Sequence, residues 1–288
     1  MRTIRHVDAF TTVPLEGNPA AVVDGEDLST DVMQRIALNQ HLSETVFLLP
    51  PEDPSNHARL RIFTPDTELP FAGHPTLASA HVLVSEGRVS LAVGEALRLE
   101  TGAGVIPVEI GAGEPPRYTM TQARPAFRDA TETREEIAAW IGLRPEDVVH
   151  AEHVSTGLFW LLAQISSLDA MMRVQPDFGA LAGKEISIFC IGAEQPDAQV
   201  HVRTFAPGAG VTEDPVTGSS NGCIGALIAR LGLLPQREGV IEYVAEQGIE
   251  MKMPGRVFVR LTGTGDEMQV QVGGYAVTVL RGELLLPG

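Results

Sequence analysis

Arg61-Ile62-Phe63-Thr64-Pro65-Asp66-Thr67-Glu68-Leu69-Pro70-Phe71-Ala72-Gly73-His74-Pro75-Thr76 has a second, altered copy later in the chain. That copy is Arg203-Thr204-Phe205-Ala206-Pro207, then a loop, then Asp214-Pro215-Val216-Thr217-Gly218-Ser219-Ser220-Asn221-Gly222. Both read Arg-x-Phe-x-Pro, a polar loop, a glycine, a hydroxyl- or imidazole-bearing cluster, and an apolar run of helical period. The two arginines stand 203 − 61 = 142 positions apart in a chain of 288 residues. One repeat of that length predicts two similar halves facing each other, since a solenoid would need several shorter units. A functional site is expected between them.

Working outward, the rest of the chain sorts into matching pieces. Ile4 to Phe10 reads as a strand, Pro14 to Pro19 as a turn-rich loop and Ala20 to Val23 as a second strand. Leu28-Ser29-Thr30-Asp31 opens a helix with Val32, Met33, Ile36 and Ala37 on one face. Glu44 to Leu49 is a strand too apolar to be half exposed, with Leu60 to Phe63 as its partner. Pro75 suits the first turn of a helix running to about Gly87. Leu97 to Thr101 and Val105 to Ile110 form a hairpin.

Gly111-Ala112-Gly113-Glu114-Pro115-Pro116 is the best domain boundary. It predicts domains of residues 1–114, completed by a C-terminal strand within 275–288, and 115–274. In the second domain, Thr133-Arg134-Glu135-Glu136 is a capping box for a helix ended by Gly142. Gly157 to Leu162 is matched to the Glu44 strand, whereas a helix over 168–174 and a strand over 186–191 are left without mates. Val200 to Phe205 matches Leu60 to Phe63, and Gly222 to Leu233 matches the helix after Pro75. Ile249 to Leu261 is read as the second hairpin, and the closing strands are expected to cross back to the first domain.

Composition excludes several functions. Lys+Arg 21 against Asp+Glu 37 gives a formal charge of −16, which repels nucleic acid and anionic membranes. No run reaches the roughly 18 apolar residues of a membrane helix, and no signal-peptide core opens the chain, so a cytoplasmic protein is expected. The two cysteines, Cys190 and Cys223, read as small buried hydrophobes. Phosphate-loop, dinucleotide and zinc motifs are missing. His150-Ala151-Glu152-His153 lacks a third metal ligand and is read as a solvated loop, so neither a metal nor a cofactor is expected.

Chemistry should gather where the helices after Gly73 and Gly218 begin, because helix N-termini offer free N–H groups and partial positive charge to a carboxylate or oxyanion. A small-molecule carboxylate substrate fits. Glu44, followed by Thr-Val-Phe-Leu-Leu, is open to desolvation that would raise its pKa toward that of a proton shuttle; it is equally readable as a strand-edge glutamate tied to an arginine. His74 is either a helix cap or a ligand-facing imidazole. Asp214 and Ser219 could present a carboxylate and a hydroxyl on one loop, or serve only turn and cap chemistry.

Five spaced motifs make the resemblance specific: Pro14-Leu15-Glu16-Gly17-Asn18-Pro19, Leu42-Ser43-Glu44-Thr45, Arg61-Ile62-Phe63-Thr64-Pro65, Glu68 to Pro75, and Glu213 to Ser219. In this order over essentially the whole chain, they resemble the PhzF family of phenazine biosynthesis isomerases and their relatives. The resemblance implies an α+β fold of the diaminopimelate-epimerase type: two pseudo-symmetric domains, each a curved, mostly antiparallel sheet around a central helix. It also implies a homodimer, no cofactor, and a proton moved between carbons of a small amino- or hydroxy-carboxylate, as in trans-2,3-dihydro-3-hydroxyanthranilate isomerase. By the same resemblance Glu44 is the general acid/base. His74, Asp214 and Ser219 line its pocket, and Gly73, Gly218 and Ser220 bind substrate. Ser220-Asn221-Gly222 departs from the smaller apolar residues of the phenazine enzymes. The alternatives are a racemase or epimerase of the same fold, or a non-catalytic carboxylate-binding protein. Such racemases use a cysteine before the glycine at each helix start, where this chain has Ala72 and Thr217.

Overall fold

The computed structural model of the chain describes residues 2–92 and 94–286, and of Asp266 only the backbone. They divide into two compact units, one running to Met120 and resuming at Gly273, the other spanning Thr121–Val272.

Unit 1 contains β1 (Arg2–Ala9), β2 (Asn18–Asp24), α1 (Thr30–Gln40), β3 (Glu44–Leu49), β4 (Ala58–Phe63), β5 (Glu68–Leu69), α2 (Gly73–Ser85), β6 (Leu97–Thr101), β7 (Gly104–Ile110) and most of β8 (Tyr118–Thr121). Unit 2 contains β9 (Ala126–Asp129), α3 (Arg134–Ile141), β10 (Val148–Ser155), β11 (Phe159–Ile165), α4 (Leu168–Met171), β12 (Ile186–Ile191), β13 (Val200–Ala206), β14 (Val211–Asp214), α5 (Gly218–Leu231), β15 (Val240–Gln247), β16 (Gly255–Thr262) and the first part of β17 (Gln269–Gly274). The last strand, β18 (Ala276–Leu284), returns to unit 1 and pairs antiparallel with β1.

The two units share one pairing sequence. In unit 1 the order is β18, β1, β2, β3, β4, β6, β7, with junctions antiparallel, antiparallel, parallel, antiparallel, parallel, antiparallel. Unit 2 repeats those senses in β9, β10, β11, β12, β13, β15, β16. The match corrects the sequence alignment of the halves. β12 (Ile186–Ile191), not Gly157 to Leu162, occupies the place of β3, β11 stands in for β2, and α4 stands where α1 does. Side-chain pattern misled here, because both β11 and β12 are apolar runs that periodicity cannot tell apart. Two further readings change. The second hairpin is β15 with β16, and residues 249–254 form its turn, led by Gly248 at φ +84°. His150 to His153 lie on β10 rather than in a loop, with His153 Nε2 2.9 Å from Glu132 and Glu152 buried against Arg230.

Local signals place the outer helices. Ser29 caps α1, whose Met33, Ile36 and Ala37 pack on Ile4, Ala21, Val23, Phe47 and Phe63. Thr133 and Glu136 form the capping box of α3. Gly142 ends it at φ +70°, where a Cβ would meet the Gln175 carbonyl at 2.5 Å. The helices α2 and α5 are different: buried on nearly every side, they are the central helices of their units. A helix without a polar face reads as core.

The two repeated arginines are structural. Arg61 forks onto Glu68 of β5 with both contacts at 2.7 Å, and Arg203 forks onto Glu213 of β14 at 2.8 and 3.0 Å. Each also lies over the phenylalanine two residues on, at 5.2 and 5.0 Å from the ring centroids. The bidentate fork ties the loop that leads into the central helix back onto the sheet. Burial differs: Arg203 and Glu213 are 8% and 14% exposed, Arg61 and Glu68 19% and 40%. Beside Arg203, the fully buried His201 bridges Glu246 at 2.7 Å and Glu250 at 3.0 Å. Its donor atoms with those of Glu194 and Glu246 could surround a cation. They are already engaged, however, because the Glu246 carboxylate accepts the N–H groups of Glu194 and Gln195 as well.

Breaking the buried fork should cost far more than breaking the exposed one. Arg203→Met is expected to lose about 3 kcal/mol in urea unfolding, and Arg61→Met less than about 1 kcal/mol. Equal losses would contradict a difference made by burial. Loss of solvent alone would strip His201 of its proton, but the Glu246 and Glu250 carboxylates outweigh it and hold the imidazolium to about 9. The folded value lies above the ordinary 6.5, so this stabilisation is full below that pH and is lost as pH rises to about 9. Denaturation midpoints should therefore fall between those values in the native protein, with a flatter profile in His201→Gln.

Candidate active site

Unit 1 brings two of the four proposed catalytic residues together. Glu44 is the first residue of β3, and the β3–β4 register sets Thr45 opposite Phe63, so the strand enters directly from the α1 turn. His74 is the second residue of α2, where the buried end of the helix carries no side-chain cap. Glu44 Oε2 and His74 Nε2 stand 3.2 Å apart, with 16% and 8% of the side chains exposed. The two atoms are within charge-interaction range but not aligned as a hydrogen bond. Removal from water pushes the Glu44 carboxyl above the ordinary carboxylate range, against a smaller opposite pull from the Ser43 hydroxyl. A buried carboxyl in this condition holds its proton to a higher pH than a solvated one and can give it up to a partner. Gly73 leaves open space at the helix start, since a Cβ there would meet nothing closer than Met120 Cε at 3.9 Å.

Unit 2 assembles the other two around the start of α5. Thr217 precedes the helix and donates its hydroxyl to Asp214 Oδ2 at 2.5 Å. Gln247 of β15 locks the turn: its Nε2 donates to the Asp214 carbonyl and to Thr217 Oγ1, and its Oε1 accepts from the Thr217 N–H and from Asn221 Nδ2. The Asp214 carboxylate is thus aimed by hydrogen bonds at its neighbours. Ser219 is partly exposed and its Oγ accepts from Trp160 Nε1 at 3.2 Å. Ser220 is fully buried, with its hydroxyl donated to the Thr217 carbonyl and 3.3 Å from Thr204 Oγ1. What Ser220 can offer a ligand is its backbone N–H. As in α2, no side chain caps the helix.

Sequence reading missed the supporting residues Gln122, Trp160, Asn221 and Gln247. Gln122 Nε2 donates to the Gly218 carbonyl and its Oε1 accepts from Thr156 Oγ1 at 2.6 Å. A side chain at position 222 would collide with Gln122, so Gly222 serves this packing, whereas Asn221 donates to the Thr217 carbonyl and to Gln247 Oε1. Asn and Gln so far apart in sequence carry no local signal. Both thiols are buried and pushed up by loss of solvent, Cys190 to about 12 and Cys223 to about 11, which removes them as nucleophiles or bases at neutral pH.

Two like-built units, each with a buried, uncapped central helix beginning at a glycine, define the diaminopimelate-epimerase-like class of α+β proteins. The family model for phenazine biosynthesis-like proteins matches residues 7–282. An uncharacterized isomerase of Mesorhizobium japonicum is 34% identical over 97% of both chains. The trans-2,3-dihydro-3-hydroxyanthranilate isomerase of Pseudomonas aeruginosa is 35% identical over 97% of this chain and 98% of its own. Among solved structures, a PhzF-family phenazine biosynthesis protein of Bacillus anthracis superposes with a TM-score of 0.89 at 31% identity, covering 99% and 100% of the two chains. The chain belongs to the PhzF family and is an isomerase. Among the described residues no helix is long and apolar enough to cross a membrane.

A carboxyl whose charged form is disfavoured by folding lowers stability once pH passes its unfolded value near 4.5. Glu44→Gln removes that cost. Its Tm at pH 8 is expected to match or exceed the native value by up to about 4 °C, the gap closing by about pH 4, as calorimetry would show. A fall of similar size at pH 8 would instead mark Glu44 as a structural anchor.

Proposed function

We propose that this isomerase moves a proton between two carbons of a small amino- or hydroxy-carboxylate by general acid/base catalysis, with Glu44 taking and returning the proton. One observation carries the reading: Glu44 is a carboxyl starved of solvent, with its Oε2 3.2 Å from His74 Nε2 at an uncapped helix start. In carboxylate form Glu44 accepts the C–H proton. The electron pair passes into the substrate's conjugated system, and the resulting carboxylic acid protonates the carbon where the pair comes to rest. By the family resemblance His74, Asp214 and Ser219 orient the substrate's polar groups, and Gly73, Gly218 and Ser220 bind substrate, for which the N–H groups at a helix start are suited. Each step uses only residues of the chain, so no cofactor enters. The similarity to trans-2,3-dihydro-3-hydroxyanthranilate isomerase supports that compound, or one of its class, as substrate. A racemase mechanism is disfavoured because Ala72 and Thr217 stand where its two thiols would be.

The family resemblance further supports a homodimer working in the cytoplasm, which sedimentation and cell fractionation would check. The decisive experiment incubates the protein with trans-2,3-dihydro-3-hydroxyanthranilate in D2O and follows deuterium by NMR. Native protein is expected to form product and introduce solvent deuterium at carbon. Glu44→Gln should be slower by about 10²–10⁴-fold, and thiol alkylation should change little. Full activity in Glu44→Gln would overturn the assignment.

A further inference from the structure

The shared pairing pattern identifies a residue that no motif marks. In unit 1, Phe47 stands opposite Arg61 in the β3–β4 register; in unit 2, Ile188 stands opposite Arg203 in the β12–β13 register. Stepping back three residues from each reaches Glu44 in one unit and Glu185 in the other. Glu44 is the first residue of β3 and Glu185 immediately precedes β12, and each is followed by an apolar run, Thr45-Val46-Phe47-Leu48 or Ile186-Ser187-Ile188-Phe189.

Continuing the alternation of β12 back by one residue carries Glu185 to the side of the sheet on which α5 begins. Ile186, Ile188 and Cys190 join the core under α3 and α4, so the alternating positions point to the other side of the sheet. Ser187 shows which side that is, for its Oγ lies 2.8 Å from Thr204 Oγ1, which is in turn 3.3 Å from Ser220 Oγ in the first turn of α5. Glu185 precedes Ser187 by two and shares its face. The parallel β11–β12 register opens with Leu161 beside Ile186, the residues that directly follow Trp160 and Glu185. Trp160 donates its indole N–H to Ser219. The carboxyl is half-buried, and among the described residues it has neither a hydrogen-bond donor nor a cation for partner. Loss of solvent alone moves its pKa, upward. Lys184, next in the chain, turns away to the Ala180 carbonyl and the Trp140 ring.

A carboxyl drawn partly out of water, on the face of Ser219 and without a donor from the chain, has acceptor capacity left for a ligand. We propose that Glu185 is a substrate-binding residue whose carboxylate accepts the amino group of the substrate, which narrows the substrate class to amino-carboxylates. This rests on the isomerase reading above for the place where substrate binds. Glu185 takes no part in moving the proton.

The test uses matched ligands, 3-hydroxyanthranilate and 3-hydroxybenzoate, which differ by the amino group alone, together with turnover of trans-2,3-dihydro-3-hydroxyanthranilate. By calorimetry the native protein is expected to bind the amino member at least about tenfold more tightly, and Glu185→Gln to lose that preference. In turnover Glu185→Gln should raise KM about tenfold while kcat falls less than about threefold. Glu185→Asp, which keeps the charge, serves if the glutamine variant fails to fold; it should retain the amino preference at reduced affinity. An unchanged preference and KM in Glu185→Gln would overturn the proposal while leaving the isomerase reading intact. Loss of the preference without deuterium uptake by the native protein would sustain Glu185 and sink the isomerase reading. Failure of the native protein to favour the amino ligand would overturn Glu185 as its acceptor.

Discussion

The fork between Arg203 and Glu213, mirrored by Arg61 and Glu68, is the contact on which the rest of each unit depends. Between the repeated Arg-x-Phe-x-Pro strand and the central helix lies a polar loop that would otherwise be free to move. The bidentate pair clamps that loop to the sheet, and the loop in turn delivers a glycine and the first helical turn to a fixed place. Two parallel hydrogen bonds between planar groups fix orientation as well as distance, which a single lysine contact would not. The repeated arginine thus positions the start of the central helix in each unit.

The two units use that placement differently. In unit 1 the helix start is spare: glycine, histidine and a glutamate from the neighbouring strand, with a carboxyl oxygen left unaligned. In unit 2 the equivalent turn is held by a dense polar network through Gln247, Asn221, Thr217 and Gln122. The difference suits the roles proposed for the two sets of residues. A proton-moving group needs a pKa displaced by burial, which extra donors would pull back down. Asp214 is held in a rigid frame by the Thr217 hydroxyl and the Gln247 amide.

Neither cysteine has a part in the proposed mechanism. Both are sealed among apolar side chains, and loss of solvent raises them out of the reactive range. In the proposed mechanism the acid/base function falls to a carboxyl, and the same desolvation that disables a thiol makes a glutamate useful, because it starts several units lower on the pH scale.

Much of this was legible in the residues. Period-two strands, the capping box at Thr133, the glycine stop at Gly142 and the repeated Arg-x-Phe-x-Pro are local, since each depends on backbone geometry within a few positions. His74, Asp214 and Ser219 each stand beside a glycine or proline that marks an unusual turn, and Glu44 opens an apolar run; these local signals singled them out as candidates. Tertiary structure alone decided which apolar strand of unit 2 answers to β3, that Glu185 is the counterpart of Glu44, and that Gln122, Trp160 and Gln247 support the second helix start. Those facts are matters of register between segments far apart in the chain. An apolar run looks the same whichever neighbour it pairs with, and an amide side chain gains its partners only when the sheet closes around it.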